Sequence, residues 1–304
     1  MKKPVFASLI AATILSLSLA QTAFPISIKH DASETTISSQ PKRIIALHPT
    51  SLEILLALGV QPVGIGGYGL MGAQPVGQAA STVPSFDDLL PIKPQHVGIE
   101  NPSLEAMLAL KPDLILSITF AAQNVYPQFS KIAPTLVYNY SGERSWEKGF
   151  FDVAKLLGRE QRARKVVSQL EAQARTNRNR LAPAIASGNK LAVFALRGSQ
   201  LLSTGLGFAP SRLLNQLGFK NVAVTNAPVF APMSSEGLLM VKADRAMLLN
   251  FGAPQETLET TVALLKRGNF KSVHSTDVLT ASRSGLGPLS DAQLLDVYTK
   301  ALLK

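Results

Sequence analysis

From Pro41 onward, short apolar runs alternate with segments of helical period. Arg43–Leu47 has the pattern of a buried strand, Pro49-Thr50-Ser51 opens a helix that Gly59 stops after Leu58, and Val63-Gly64-Ile65 begins another strand. The rhythm returns as a helix over Ser103–Leu110 and a strand over Leu114–Ser117, then a helix over Asn124–Ile132 and a strand over Leu136–Tyr138. Alternation of this kind predicts a parallel sheet covered by helices. The intervening stretch Gly69–Gln95 is rich in Gly, Pro and Ser and is expected to be a long loop near a site. From Ser145 to about Leu181 the apolar positions Trp146, Phe150, Val153, Leu157, Ala163, Val166 and Leu170 keep i, i+3, i+4 spacing. They predict one long helix, or two nearly continuous ones, with Gly158 as the blemish and Pro183 and Gly188 as the stop. A second series follows: a strand at Lys190–Leu196, helices at Ala209–Leu217 and Glu236–Val241, a strand at Ala246–Asn250, a helix at Glu256–Lys266 and a terminal helix at Ser290–Leu303. The expected fold class is α/β: two doubly wound α/β lobes, residues 21–143 and 184–304, joined by one long rigid helix over 144–183.

One spaced pattern occurs in both halves. Ser103-Leu104-Glu105 leads through five residues to Lys111-Pro112-Asp113, and Ser234-Ser235-Glu236 leads through five residues to Lys242-Ala243-Asp244. Each copy predicts a short helix opened by Ser, with an acidic residue in its first turn, running into a buried strand. The repeat supports two similar lobes, each carrying a Glu at the start of a matching helix.

The N-terminus belongs to a different class of segment. Lys2 and Lys3 precede an uncharged run from Pro4 to Leu19 that ends in Ser18-Leu19-Ala20. It is too short to span a bilayer and has the form of a secretory signal peptide over residues 1–20, cleaved near Ala20. No cysteine is present. Lipid anchoring through a Cys after that segment, disulfides and Cys nucleophiles are thereby excluded. The net charge of +10 is concentrated, since between Arg159 and Arg180 seven basic residues stand against only Glu160 and Glu171. A solvated helix face accounts for that cluster, and no aromatic interleaving points to nucleic acid.

Taken together, several blocks resemble the periplasmic substrate-binding proteins of iron-siderophore, haem and cobalamin ABC importers. They are Pro41–Leu47, Glu53–Gly64, Val97-Gly98, Pro102–Ile115 and Lys131–Val137, with looser similarity beyond. The resemblance implies two α/β lobes joined by a stiff helix, with the ligand in a shallow cleft between them and little lobe closure. It implies that Glu105 and Glu236 dock on the two permease subunits of an importer with its ATPase, and that the protein is a periplasmic monomer with no cofactor and no metal ion of its own. The expected cargo is a ferric siderophore or related iron chelate; haem or cobalamin is the alternative within the same transport class. Site residues are expected in the strand-end loops: His48, Tyr68 and Phe120 in the first lobe, Arg197, Phe230 and Arg283 in the second. The arginines offer planar bidentate donors to carboxylate or catecholate oxygens. Ferric-hydroxamate binders of the family carry an Arg shortly before the Pro-x-Leu-Glu block; Val97–Asn101 has none, which speaks against a hydroxamate. No His or Tyr is placed by motif as a haem ligand, and the only Trp, Trp146, opens the linking helix.

Two rival classes are weaker. A free-metal binder needs converging His and carboxylates, whereas His30, His48, His96 and His274 are scattered and His30 is expected in the tail of the leader. A secreted hydrolase would recruit His274, Ser275 and Asp277, but no Gly-x-Ser-x-Gly elbow, phosphate loop or dinucleotide fingerprint accompanies them.

Overall fold

The structure, a computed structural model, describes residues 23–66, 87–98, 101–122, 124–140, 146–205, 209–222, 230–277 and 287–304. Residues 1–20, the segment expected as a signal peptide, lie outside these residues. Among the described residues no helix is long and apolar enough to cross a membrane.

The chain first forms an antiparallel hairpin, β1 (Ile26–Lys29) and β2 (Glu34–Ile37), which the sequence reading missed. Ile26, Ile28 and Ile37 face inward at alternate positions and join the core. His30 therefore does not trail from a leader. It is buried at the end of β1, with its Nε2 2.8 Å from the Thr35 hydroxyl and its ring edge-on to Tyr126.

The first sheet holds five parallel strands in the order β5-β4-β3-β6-β7: β3 (Ile44–Ala46), β4 (Gly64–Ile65), β5 (Gln95–His96), β6 (Leu114–Ile118) and β7 (Thr135–Tyr138). Helices α1 (Pro49–Ala57), α2 (Leu104–Ala109), α3 (Thr119–Ala122) and α4 (Tyr126–Ile132) make the crossovers. β3 and β6 are buried along nearly their whole length, because apolar layers cover both faces of the sheet. The chain winds outward from β3 to β5 and returns to β6, so the winding direction changes between β3 and β6. The stretch expected as loop over Gly69–Gln95 contains a 3₁₀ turn at Asp87–Leu89 and ends in β5; residues 67–86 lie outside the described chain.

The connector is not one long helix; it takes the broken form the sequence also allowed and adds a third, short helix. It consists of α5 (Glu147–Leu156), α6 (Glu160–Arg180) and α7 (Ala182–Ser187). The break falls at Gly158, whose φ of +61° is a left-handed turn conformation that costs glycine little. α6 is about 30 Å long at 1.5 Å per residue. Few of its residues are buried, Ala163, Ala174 and Asn177 among them, and polar rivets fix it on both sides. Arg162 donates to the carbonyl of Ala57 at the end of α1 (2.6 Å), while Gln173 and Asn177 donate to the carbonyls of Ala292 and Leu295 in α11 (Pro288–Leu302).

The second sheet is mixed, where alternation had predicted a parallel one. β8 (Lys190–Arg197), β12 (Arg245–Asn250) and β13 (Ser272–Asp277) run parallel, and β10 (Lys220–Val222) lies parallel to the first half of β8. β9 (Gln200–Thr204) folds back antiparallel on the second half of β8, and β11 (Phe230–Pro232) pairs antiparallel with β9. α8 (Ala209–Gln216), α9 (Ser235–Leu239), α10 (Gln255–Leu265) and α11 complete the lobe. The residues of the hydrolase reading lie on β13, where successive side chains point to opposite faces. His274 is buried against Ser272 and the carbonyl of Ala301, while Ser275 is exposed on the other face, so the three residues form no triad.

Candidate functional site

In an open α/β sheet, ligands bind outside the carboxyl ends of the strands where the winding direction changes. In the first lobe that point lies just beyond β3 and β6. Leu47 donates its N–H to Leu116 across the two strands, and His48 follows as the N-cap of α1, its Nδ1 accepting from the Thr50 N–H at 3.1 Å. His48 is 8% exposed, and burial pulls its pKa down to about 4, so the ring is neutral at pH 7. Four buried hydroxyls lie in the same stretches: Thr50 and Ser51 at the start of α1, Ser117 near the end of β6 and Thr119 just after it. None makes a hydrogen bond among the described residues. Both ring nitrogens of His96, at the end of β5, are also buried without a partner. Buried polar groups are normally satisfied, so the strand ends of this lobe hold an unusual concentration of uncharged polar atoms with spare hydrogen-bonding capacity. Phe120 falls in α3, immediately past β6; its side chain and all of Tyr68 lie outside the described residues.

The second lobe brings two of the predicted residues together. Arg197 ends β8 and places its guanidinium 5.6 Å from the centre of the Phe230 ring at the start of β11. That is cation–π distance. At the ends of β12 and β13, Asn250 donates to Asp277 at 3.2 Å. Arg283 lies outside the described residues. Among the described residues, no cluster of three or more His, Cys, Asp or Glu is arranged to hold a metal ion.

Between the lobes sit two buried carboxylates that the sequence reading did not single out. Glu53 of α1 is fully buried and accepts from the N–H groups of Leu289 (3.0 Å) and Ser290 (2.8 Å) and from the Ser290 hydroxyl, all at the start of α11. Gly287 permits this approach, because a β-carbon there would lie 2.6 Å from the carboxylate. Asp291, one residue into α11 from Ser290, accepts from the Trp146 indole N–H at 2.7 Å and pairs with Arg212 of α8. Burial pushes its pKa up to about 7, with Glu53 adding to the shift and Arg212 and Trp146 opposing it. A charged residue in the apolar run Leu52–Leu58 was the available clue to Glu53; Asp291 gave none.

The repeated units occupy matching places. Ser103 caps α2 by accepting from the Ala106 N–H (3.2 Å), and Ser234 caps α9 by accepting from the Gly237 N–H (3.0 Å). Asp113 accepts from the N–H groups of Lys42 and Arg43, just before the first strand of its sheet, and Asp244 accepts from the N–H of Lys190, the first residue of β8. Ser and Asp are thus used by the fold in both copies. Glu105 and Glu236 are exposed and make no hydrogen bond or ion pair among the described residues.

Two α/β lobes held by a riveted helical connector, each with polar strand ends and one matching helix start, define a two-lobed solute-binding architecture. The chain belongs to the periplasmic binding protein family, whose model matches residues 44–249. It is 28% identical over 199 residues to the probable siderophore-binding lipoprotein YfiY of Bacillus subtilis, covering 64% of this chain and 56% of that one. It is 31% identical over 166 residues to the Fe(3+)-citrate-binding protein YfmC of the same organism, covering 50% and 49%. The match thus spans about half the length of these curated relatives. The fold is shared with Staphylococcus aureus SirA, solved in complex with staphyloferrin B: TM-score 0.72, 24% identity, 91% of this chain and 98% of that one.

Proposed function

We propose that this protein captures a ferric chelate between its lobes, 21–143 and 184–304, and delivers it to an ABC importer from the periplasm after loss of residues 1–20. The observation that carries the reading is membership of the binding-protein family together with relatives named for Fe(3+)-citrate and for a siderophore. The chemistry of the strand ends supports it. Arg197, stacked on Phe230, offers a cation to an anionic chelate from the second lobe, and the neutral hydroxyls and His48 of the first lobe offer hydrogen bonds without adding charge. Glu105 and Glu236 are the permease-docking residues, and the working form is a monomer.

The test is a fluorescence titration of the purified mature protein with ferric citrate, ferric hydroxamates, ferric catecholates, haem and cobalamin. One ferric carboxylate or catecholate chelate is expected to quench saturably, with Arg197→Ala weakening it about tenfold, the scale of one charge-assisted contact. Saturable binding of haem or cobalamin alone, or of none of the panel, overturns the iron-chelate reading.

A further inference from the structure

The two repeated units match in more than the residues that define them. Over Ser103–Leu114 and Ser234–Arg245, every position after the first falls in the same exposure class in both copies. The buried positions have a plain reason: Met107 and Leu110 in one copy, Leu238 and Val241 in the other, are spaced by three and face the core. The exposed positions have none of that kind, yet one of them carries the same large apolar residue in both copies. Leu108 and Leu239 occupy equivalent places, and each is 56% exposed. Each lies three residues after its Glu, on the same side of the short helix. Leu104 adds to the first patch and Met240, 76% exposed, to the second.

The fold therefore presents the same pair twice, one unpaired carboxylate beside one exposed leucine, on units bracketed to the two sheets by Asp113 and Asp244. An occupant that uses both copies must itself have two equivalent halves. The carboxylates stand out on a chain of net charge +10, so each half must offer a basic group. We propose that Leu108 and Leu239 are the apolar anchors of the transporter interface, each seated in an apolar recess of one permease subunit next to the basic group that meets Glu105 or Glu236. This rests on the delivery role given above and adds that docking is apolar as well as ionic at both lobes.

The experiment measures binding of the chelate-loaded protein to the permease–ATPase complex of its own organism in nanodiscs. It compares wild type, Leu108→Ser/Leu239→Ser and Glu105→Gln/Glu236→Gln at low and high salt, with chelate affinity and sedimentation measured for each. The leucine variant is expected to bind the complex about tenfold to a hundredfold more weakly at both salt concentrations, as burial of the exposed halves of two leucine side chains predicts. The glutamate variant should lose binding mainly at low salt, and chelate affinity should stay at the wild-type level in both. Wild-type binding by the leucine variant alongside a weakened glutamate variant overturns the anchor proposal and leaves the delivery role standing. Wild-type binding by both variants overturns the two together. A wild-type dimer that dissociates in the leucine variant, or equal binding to nanodiscs without the complex, assigns the leucines to another occupant and likewise overturns the proposal.

Discussion

The two lobes are alike on one surface and unlike on another. In the units Ser103–Leu114 and Ser234–Arg245, the cap, the exposed acid, the exposed leucine, the buried pair and the bracketing Asp recur place for place. At the strand ends the resemblance stops. The first lobe offers unpartnered hydroxyls and a neutral imidazole beyond an all-parallel sheet. The second offers a guanidinium on an aromatic ring, set by the antiparallel strands β9 and β11 that have no counterpart in the first sheet. A partner with two equivalent halves calls for matched surfaces, whereas a small asymmetric chelate needs different groups on its two sides. In the function proposed, the matched surface would serve delivery and the mismatched one cargo.

The largest expected effect separates those two surfaces. Glu105→Ala combined with Glu236→Ala should lower uptake of the bound chelate by about a hundredfold or more, with each single change intermediate, because removing two charged groups from an interface costs several kcal/mol in all. Chelate affinity should be unchanged. A loss of chelate affinity with normal association to the permease would show that the matched units hold cargo, and the comparison would collapse. The helix-dipole role of each Glu, worth about 0.3–1 kcal/mol of stability, predicts no change in uptake.

A second experiment sharpens the contrast between the lobes through their buried titrating groups. The pKa of His48, about 4 in the folded protein against an ordinary 6.5, means that the unfolded chain takes up this proton first as pH falls. Its share of stability is complete above about pH 6.5 and is lost toward pH 4. The pKa of Asp291, about 7 against an ordinary 3.8, means that the folded protein keeps a proton the unfolded chain has released. Its share is complete below about pH 3.8 and is lost as pH rises toward 7. Between pH 4 and 6.5 the two slopes oppose each other, each on the order of 3–4 kcal/mol across its range. In urea unfolding across that interval, Asp291→Asn should steepen the rise of stability with pH. His48→Gln should flatten the rise, which the buried His30, His96 and His274, all lowered by desolvation, still support. Parallel curves for the three proteins would remove the assignment.

How far this was legible in the sequence follows the same division. The matched units were readable because cap, acid and bracket are local signals at fixed spacing. The first sheet was readable because its buried strands, such as Leu114–Ile118, are near-continuous apolar runs, with only the two-residue β5 hidden among polar letters. β9, β11 and β13 were not: Gln200–Thr204 and Ser272–Asp277 mix polar and apolar residues, and their pairing is fixed by distant strands. The apolar spacing of the connector runs through Gly158 and leaves one helix and two nearly continuous ones both open; the left-handed backbone at Gly158, which the spacing does not register, decides for the break. The surface proposed for cargo was the least legible. Arg197 and Phe230 lie far apart in sequence and meet only through the β8–β9–β11 pairing. The hydroxyls of Thr50, Ser51, Ser117 and Thr119 look like ordinary helix-start and strand-end residues until burial leaves them without partners.

The finest test asks whether the matched units are equal in energy as well as in form. Removing a Ser cap costs about 1 kcal/mol in a typical helix, and both caps accept one N–H at nearly the same distance, 3.2 Å in α2 and 3.0 Å in α9. The helices differ in what else holds them. α2 continues with Leu104 and Ala106, where α9 has Ser235 and Gly237. Gly237 alone disfavours the helix by about 1 kcal/mol relative to Ala, so α9 depends more on its cap. Ser234→Ala should therefore destabilise the protein slightly more than Ser103→Ala, by a few tenths of a kcal/mol within a cost of about 1 kcal/mol for each. In thermal unfolding each shift should be a few degrees at most, with the Ser234 variant the lower of the two. A reversed order would mean that tertiary packing, and not the cap, sets α9, and that the two units keep the same surface by different means.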